Sequence, residues 1–183
     1  MTIIKLTKLD VAEREIVAAV QLFFDGGDQI AVHVLAAAAR EITSTLCEKR
    51  GIKSFLDDVK DQFPEQPKRD LYKMMTRHAN FFKHANEDPD AVLEDFLTTE
   101  TESVLFIACH DFGRLCGGKP VEADAFELWF LALHIPARLP TVASMFLLPD
   151  FTGKSHAQQV EAGKGLLEWA RKEPDLIKTH SRK

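Results

Sequence analysis

The stretch DVAEREIVAAVQLFFDGGDQIAVHVLAAAAREITSTLCEKRG, residues 10–51, predicts a hairpin of two antiparallel helices. Asp10 can accept hydrogen bonds from the free backbone amides of a first helix that should end near Phe24. The DGGD that follows supplies a flexible stop and, in Asp28, the cap of a second helix. That second helix is rich in alanine, a strong helix former, and Gly51 stands where helices commonly end. Two long helices joined by so short a loop favour an all-α fold.

The rest of the chain continues the helical pattern. Apolar residues recur at helical spacing, no alternating strand pattern exceeds four residues, and no internal repeat is present. We therefore predict one helical domain over residues 1–183, an antiparallel bundle of roughly seven to eight helices. Beyond the hairpin, the predicted helices cover about 54–63, 68–84, 88–96, 104–115, 122–134 and 155–171, with a shorter apolar element at 141–148.

The charge balance excludes a protein that coats nucleic acid along its whole surface. The chain has 23 basic and 28 acidic side chains, a formal net charge of −5, and no long lysine- or arginine-rich run. Residues 68–84 are the exception, because they hold five basic side chains and one acid, Asp70. We also find no signal-peptide pattern and no uninterrupted apolar run of membrane-spanning length, which predicts a cytoplasmic protein without a membrane partner.

The three cysteines do not have the spacing of a zinc site. Cys47, Cys109 and Cys116 are an odd number and form no C-x-x-C pair. We interpret them as buried, reduced thiols, and the composition calls for no cofactor.

The segment RHANFFKH, residues 77–84, is the strongest candidate for a site. On a helix that turns about 100° per residue, Arg77 and His84 point within roughly 20° of the same direction. Asn80 lies between them on this stripe, and His78 and Lys83 flank it. Cleavage of RNA without a metal needs a base, an acid and a cation for the developing negative charge. Histidine suits the first two roles, and arginine, which stays charged and forks onto two oxygens, suits the third.

This arrangement resembles the R-x4-6-H signature of the HEPN superfamily, small helical bundles that include metal-independent ribonucleases. Six residues separate Arg77 from His84, and His78 occupies the polar position that often follows the arginine. The helical hairpin is similar to the long helical pair that precedes the family's motif, so the resemblance covers about residues 10–90. Residues 98–171 would form additional helices packed on that half.

The resemblance implies an RNA- or nucleotide-directed protein, with a composite endoribonuclease site in which two copies of the motif meet across a homodimer axis. His84 would be the general base or acid, and Arg77 would stabilise the phosphorane. His78 and Asn80 would orient groups or transfer a second proton. Lys83, together with Lys73, would contact substrate phosphates. The alternative is that these side chains form the solvated face of an ordinary amphipathic helix.

Two metal-site hypotheses compete with this interpretation. His110 and Asp111 form a doublet that resembles the metal-binding pair of HD-type phosphohydrolases, although no spacing identifies its further ligands. The second hypothesis places His33 at a metal in the bundle core, with acidic ligands drawn from Glu13, Glu15 and Glu41. The Glu-x-x-His motif of such di-metal proteins is absent, which favours a hydrogen-bonded core histidine at position 33.

Residues 126–148, FELWFLALHIPARLPTVASMFLL, are too apolar for a helix with one face in water. They predict either the centre of the domain or a hydrophobic surface that engages a second copy or a protein partner. The second reading supports a different function class, a non-enzymatic helical interaction or regulatory module.

Overall fold

A computed structural model of the protein describes residues 3–86, 88–134 and 151–174. Within these ranges the chain is all-α, without a strand, and its helices pack into a bundle as predicted. The seven α-helices are α1 (Lys8–Phe24), α2 (Gln29–Lys49), α3 (Phe55–Gln62), α4 (Lys68–Lys83), α5 (Thr98–Cys116), α6 (Val121–His134) and α7 (His156–Lys172), and a 3-10 turn covers Phe151–Gly153.

Caps set the boundaries of the predicted hairpin. Helix α1 begins at Lys8, before the predicted start, because Thr7 is its cap and accepts a hydrogen bond from the Asp10 amide at 3.1 Å. The Asp10 carboxylate returns a contact to the Thr7 amide at 2.7 Å, so Asp10 completes the capping box and is not itself the cap. The predicted start of α2 at Asp28 and its predicted end at Gly51 are confirmed. Asp28 caps α2 at 2.9 Å, and Gly51 has the left-handed φ of 66° that follows many helices.

The helix predicted at 88–96 is wrong. A turn at 89–90 is followed by irregular backbone until α5 begins at Thr98. A helix this short needs an apolar face to bury, and Val92 is 80% exposed. Phe96 instead inserts its ring beside Phe82, with ring centroids 5.3 Å apart. The apolar element predicted at 141–148 lies outside the described residues.

Helix α2 lies at the centre of the bundle, packed along both α1 and α5. By length and composition α2 would also suit a membrane span, a property that buried core helices of soluble proteins share. Its alanine-rich face allows the neighbouring helices to approach closely. The buried residues of α2 are Val32, His33, Ala36, Ala37, Ala39, Arg40, Thr43 and Cys47.

Aromatic rings join α6 to α1. Trp129 of α6 is fully buried, and its ring lies edge-on to Phe23 and Phe24, with centroids 5.1 and 5.9 Å away. The described part of the apolar 126–148 segment, residues 126–134, thus belongs to the centre of the domain. Residues 135–148 lie outside the described ranges.

The cysteine prediction is correct for two of three residues. All three thiols are free, and Cys47 and Cys109 are buried, where burial raises the pKa of both. Cys116 is exposed because it is the last residue of α5 and precedes the turn at Gly117.

Two glycines of α7 provide a matched test of this packing. A Cβ at Gly163 would overlap the Phe24 ring and lie 2.6 Å from Cδ1 of Trp129, whereas a Cβ at Gly165 meets no atom within 4 Å. We expect Gly163→Ala to lower the free energy of unfolding by about 1–3 kcal/mol through overpacking. Gly165→Ala should raise it by about 0.5–1 kcal/mol, because alanine is the better helix former. Urea denaturation of both variants measures the difference, and equal effects would contradict this packing of α7 against α1 and α6.

Candidate functional site

Helix α4 divides the predicted site residues between two faces. Thr76, His78 and Ala79 are buried toward the rest of the bundle, while Arg77 and Asn80 are exposed on the opposite side. The helix ends at Lys83, and His84 follows as its cap with extended backbone angles, φ −124° and ψ 109°. His84 is exposed and continues the outer face of α4 by one residue.

An open cleft of about 690 Å³ lies along this outer face. Arg77, Asn80 and His84 all line it, so the helical stripe identified from sequence coincides with one concave surface. The segment that follows α4 provides the opposite wall. The complete lining is Arg77, Asn80, Phe81, His84, Asn86, Asp88, Ala91, Val92 and Leu93.

The Arg77 guanidinium is held in a two-pronged ion pair with Asp95. Its Nη1 lies 2.7 Å from Oδ2 of Asp95, and its Nη2 lies 2.9 Å from Oδ1. The hydrogen bond from Arg77 is the largest cause of the lowered pKa of Asp95. A carboxylate thus occupies the fork that a phosphate would use. Sequence reasoning missed Asp95, because it placed that residue on a short helix and no local pattern links positions 77 and 95.

His78 does not join Arg77 in the cleft. Its ring is buried, its Nδ1 contacts the Glu100 carboxylate, and its Nε2 lies 3.7 Å from Oδ1 of Asp95. These contacts hold His78 between α4 and the start of α5. His78 therefore lies behind Arg77 and Asp95 and not in the cleft.

The two predicted phosphate-contacting lysines are exposed but do not line the cleft. Lys83 faces the α1–α2 side of α4. Burial raises the pKa of Glu15, and the positive charge of Lys83 opposes that rise. Lys73 lies on the exposed side of α4, nearer its start. Either lysine can contact only a ligand that extends beyond the cleft.

His33 is a hydrogen-bonded histidine of the core, which is the alternative that the absence of a Glu-x-x-His motif favoured. Its Nδ1 lies 3.2 Å from Oγ1 of Thr101, and its ring packs edge-on against Phe82 and Phe96, with centroids 5.5 and 5.4 Å away. Burial, with smaller effects from neighbouring positive charges, lowers the pKa of His33 to about 4. In the described ranges no three His, Cys, Asp or Glu side chains are grouped to hold a metal ion.

The His110–Asp111 doublet is used for tertiary contacts. Asp111 is buried and accepts hydrogen bonds from the Phe55 amide at 2.7 Å and the Ser44 hydroxyl at 3.0 Å, which ties α5 to α3 and α2. Burial raises the pKa of Asp111. His110 turns toward α6, where its Nδ1 lies 3.1 Å from Oε1 of Glu127. The two side chains therefore point to different helices.

Glu102, His134 and His156 form a cluster that the sequence did not predict. Glu102 is fully buried in α5, with Nε2 of His134 3.2 Å from one carboxylate oxygen and Nε2 of His156 2.7 Å from the other. His134 ends α6 and His156 begins α7, so one carboxylate connects three helices. The three residues are far apart in the sequence, so no local motif could have identified their cluster.

Comparisons with protein-family models, curated proteins and solved structures found no match to this chain.

Proposed function

We propose that the α4 cleft binds a phosphodiester of RNA or of a nucleotide, and that two copies of the chain form a metal-independent endoribonuclease site. One observation carries the proposal: Arg77, Asn80 and His84 line a single open cleft. Two of these residues, Arg77 and His84, together with His78 carry the resemblance to the HEPN superfamily. A permanent cation, an amide and an accessible imidazole are together suited to a phosphodiester that is attacked by its own 2′-hydroxyl.

Arg77 has the central binding role in this proposal. Its guanidinium already grips two carboxylate oxygens of Asp95, and a phosphate presents oxygens of similar spacing. Both partners are exposed, so exchange of Asp95 for a phosphate leaves no buried charge without a partner. Asp95 therefore competes with the substrate for Arg77.

Proton transfer is the reason for a second copy. In-line cleavage of RNA needs one group to accept the 2′-hydroxyl proton and another to protonate the leaving oxygen. Within the described residues, His84 is the histidine that lines the cleft, since His78 is buried against Glu100. A homodimer that brings two α4 clefts together supplies the second imidazole, and Lys73 and Lys83 would then contact phosphates farther along the strand.

The test is cleavage of end-labelled RNA in excess EDTA, with Arg77→Ala compared with Arg69→Ala. Both variants remove one exposed arginine from α4, but Arg69 does not line the cleft. We expect Arg77→Ala to lower the cleavage rate by about 10²–10³-fold, as loss of one transition-state donor does. Arg69→Ala should stay close to the wild type. Equal rates for the two variants would contradict the proposal, and so would cleavage that EDTA abolishes.

Asp95→Asn is the opposite arm of this experiment. The substitution removes the negative charge that competes with RNA for Arg77, and asparagine is nearly the same size as aspartate. RNA affinity should therefore rise at constant salt. The rise should be absent when Arg77→Ala is combined with it. Tighter binding in the double variant as well would mean that Asp95 acts through general charge and not through Arg77.

A further inference from the structure

Arg40 is a buried cation without an ion-pair partner among the described residues. Its side chain is 2% exposed, and its Nε makes no hydrogen bond. Among the described residues no carboxylate or carbonyl accepts from its guanidinium, and its backbone carbonyl accepts the Thr43 hydroxyl. By contrast, three arginines that are more exposed than Arg40 each have a carboxylate partner: Arg77 with Asp95, Arg114 with Asp58, and Arg171 with Glu122.

An unpaired buried guanidinium is unfavourable for the folded protein. Removing a charge from water costs several kcal/mol, which is recovered only when close partners satisfy the N–H groups. An apolar residue of similar volume would avoid that penalty. At the centre of α2, Arg40 therefore has a desolvation cost that no described ion pair offsets.

The Tyr72 ring lies against this guanidinium. Cζ of Arg40 lies 5.5 Å from the ring centroid, in a cation–π arrangement, and Tyr72 is itself 44% exposed. Rotation of the partly exposed Tyr72 side chain toward solvent would uncover Arg40 without moving the backbone of α4. Rotamer changes of partly exposed side chains are fast, so the ring can act as a cover.

Two histidines of the same interface have ring nitrogens without a hydrogen bond. The buried Nε2 of His33, seven residues before Arg40 on α2, makes none, and the buried Nε2 of His78 on α4 has only the Asp95 carboxylate, 3.7 Å away. The two imidazole rings lie 6.3 Å apart. The α2–α4 interface thus holds Arg40 and His33 with buried nitrogen atoms that make no hydrogen bond, and the carboxylates of Asp95 and Glu100 are both on the far side, at His78. This imbalance favours an anion.

We propose that Arg40 is the centre of a second anion site, which binds a phosphate-type oxyanion between α2 and α4 after the Tyr72 ring swings aside. The planar guanidinium donates to two oxygens of the anion, the pairing for which arginine is suited. The site is separate from the α4 cleft, because Tyr72 and Arg77 lie on opposite faces of α4. It therefore does not depend on the ribonuclease proposal.

Thermal unfolding in inorganic phosphate, against sodium chloride of equal ionic strength, tests the site. A ligand that binds only the folded state raises Tm by mass action, and a phosphate concentration ten times Kd should raise it by about 3–6 °C for a chain of this size. Arg40→Met should show no phosphate-specific rise when it is made in an Arg77→Ala background, in which the α4 cleft has lost its guanidinium. In chloride alone its Tm should equal or exceed that of the wild type, because the variant has lost an unpaired buried charge.

Arg77→Ala with Arg40 intact is the reference, since it has lost the arginine of the α4 cleft, and it should show a phosphate-specific rise of about 3–6 °C through Arg40. A wild type with no such rise would overturn the proposal. The same holds for an equal rise in Arg40→Met, which would place the anion elsewhere. A lower Tm of Arg40→Met in chloride would also overturn it, by showing that Arg40 is already stabilised without a ligand. Helical content from circular dichroism establishes that each variant is folded.

Discussion

Trp129→Ala is expected to lower the free energy of unfolding by about 3–5 kcal/mol, the range for removal of a fully buried large aromatic side chain. Trp129 contacts Phe23 and Phe24 of α1 and Phe126 of its own helix. Its Nε1 donates to the Gln159 carbonyl at 2.7 Å, so the substitution also removes a buried hydrogen bond. Because the free energy of unfolding of a typical domain is only about 5–15 kcal/mol, this one substitution would remove a large part of it.

Chemical denaturation followed by circular dichroism measures this loss. Trp169→Ala is the matched control, since Trp169 is only partly buried at the edge of the core. We expect it to have less than half the effect of Trp129→Ala. Trp129→Phe should fall between the two, because it keeps most of the apolar contact but not the N–H donor. Similar losses at positions 129 and 169 would mean that the aromatic core is not centred on Trp129.

Acidification from pH 7 to pH 4 is expected to remove about 3 kcal/mol of stability through His33 alone. Burial, aided by the nearby charges of His78, Arg40 and Lys83, holds the pKa of folded His33 at about 4, below its usual 6.5. As the pH falls, the unfolded chain binds a proton at this position before the folded chain does. The contribution is therefore fully present above pH 6.5 and is lost between pH 6.5 and 4.

His33→Asn separates this contribution from the rest of the chain. An asparagine can keep a contact near the Thr101 hydroxyl and does not titrate, so the decline in stability between pH 6.5 and 4 should flatten by about 3 kcal/mol. Asp57 acts in a lower window. The Lys68 and Ser54 hydrogen bonds outweigh desolvation and hold its pKa at about 2, so its contribution is lost only below pH 3.8. An unchanged decline in His33→Asn would show that His33 is not buried in its neutral form.

Local patterns predicted most of the helices, and the exceptions have physical causes. Asp28, Ser54 and Ser155 cap α2, α3 and α7 because a cap needs only its own side chain and the next three backbone amides. The segment 88–96 begins with Asp88 and Pro89, which favour a helix start, but its apolar side chains do not form one buried surface, since Phe96 packs beside Phe82 and Val92 is 80% exposed. A start signal without such a surface did not produce a helix.

The candidate site was predictable to a similar extent. Arg77, Asn80 and His84 are brought together by one helix, so their common face follows from helical geometry. The removal of His78 from that face into a contact with Glu100 could not be predicted, because it depends on where α5 packs. The same is true of Asp95, which reaches Arg77 from an irregular segment.

The amino-acid sequence by itself determined the all-α class, the hairpin of α1 and α2 and the outer stripe of α4. Each of these follows from side-chain periodicity or from contacts within a few residues along the chain. Only the tertiary structure decided that Glu102 joins two histidines from other helices and that Arg40 is buried beneath Tyr72 without an acceptor. These contacts join residues that are 32 or more positions apart, and they depend on how whole helices pack, which no local pattern specifies.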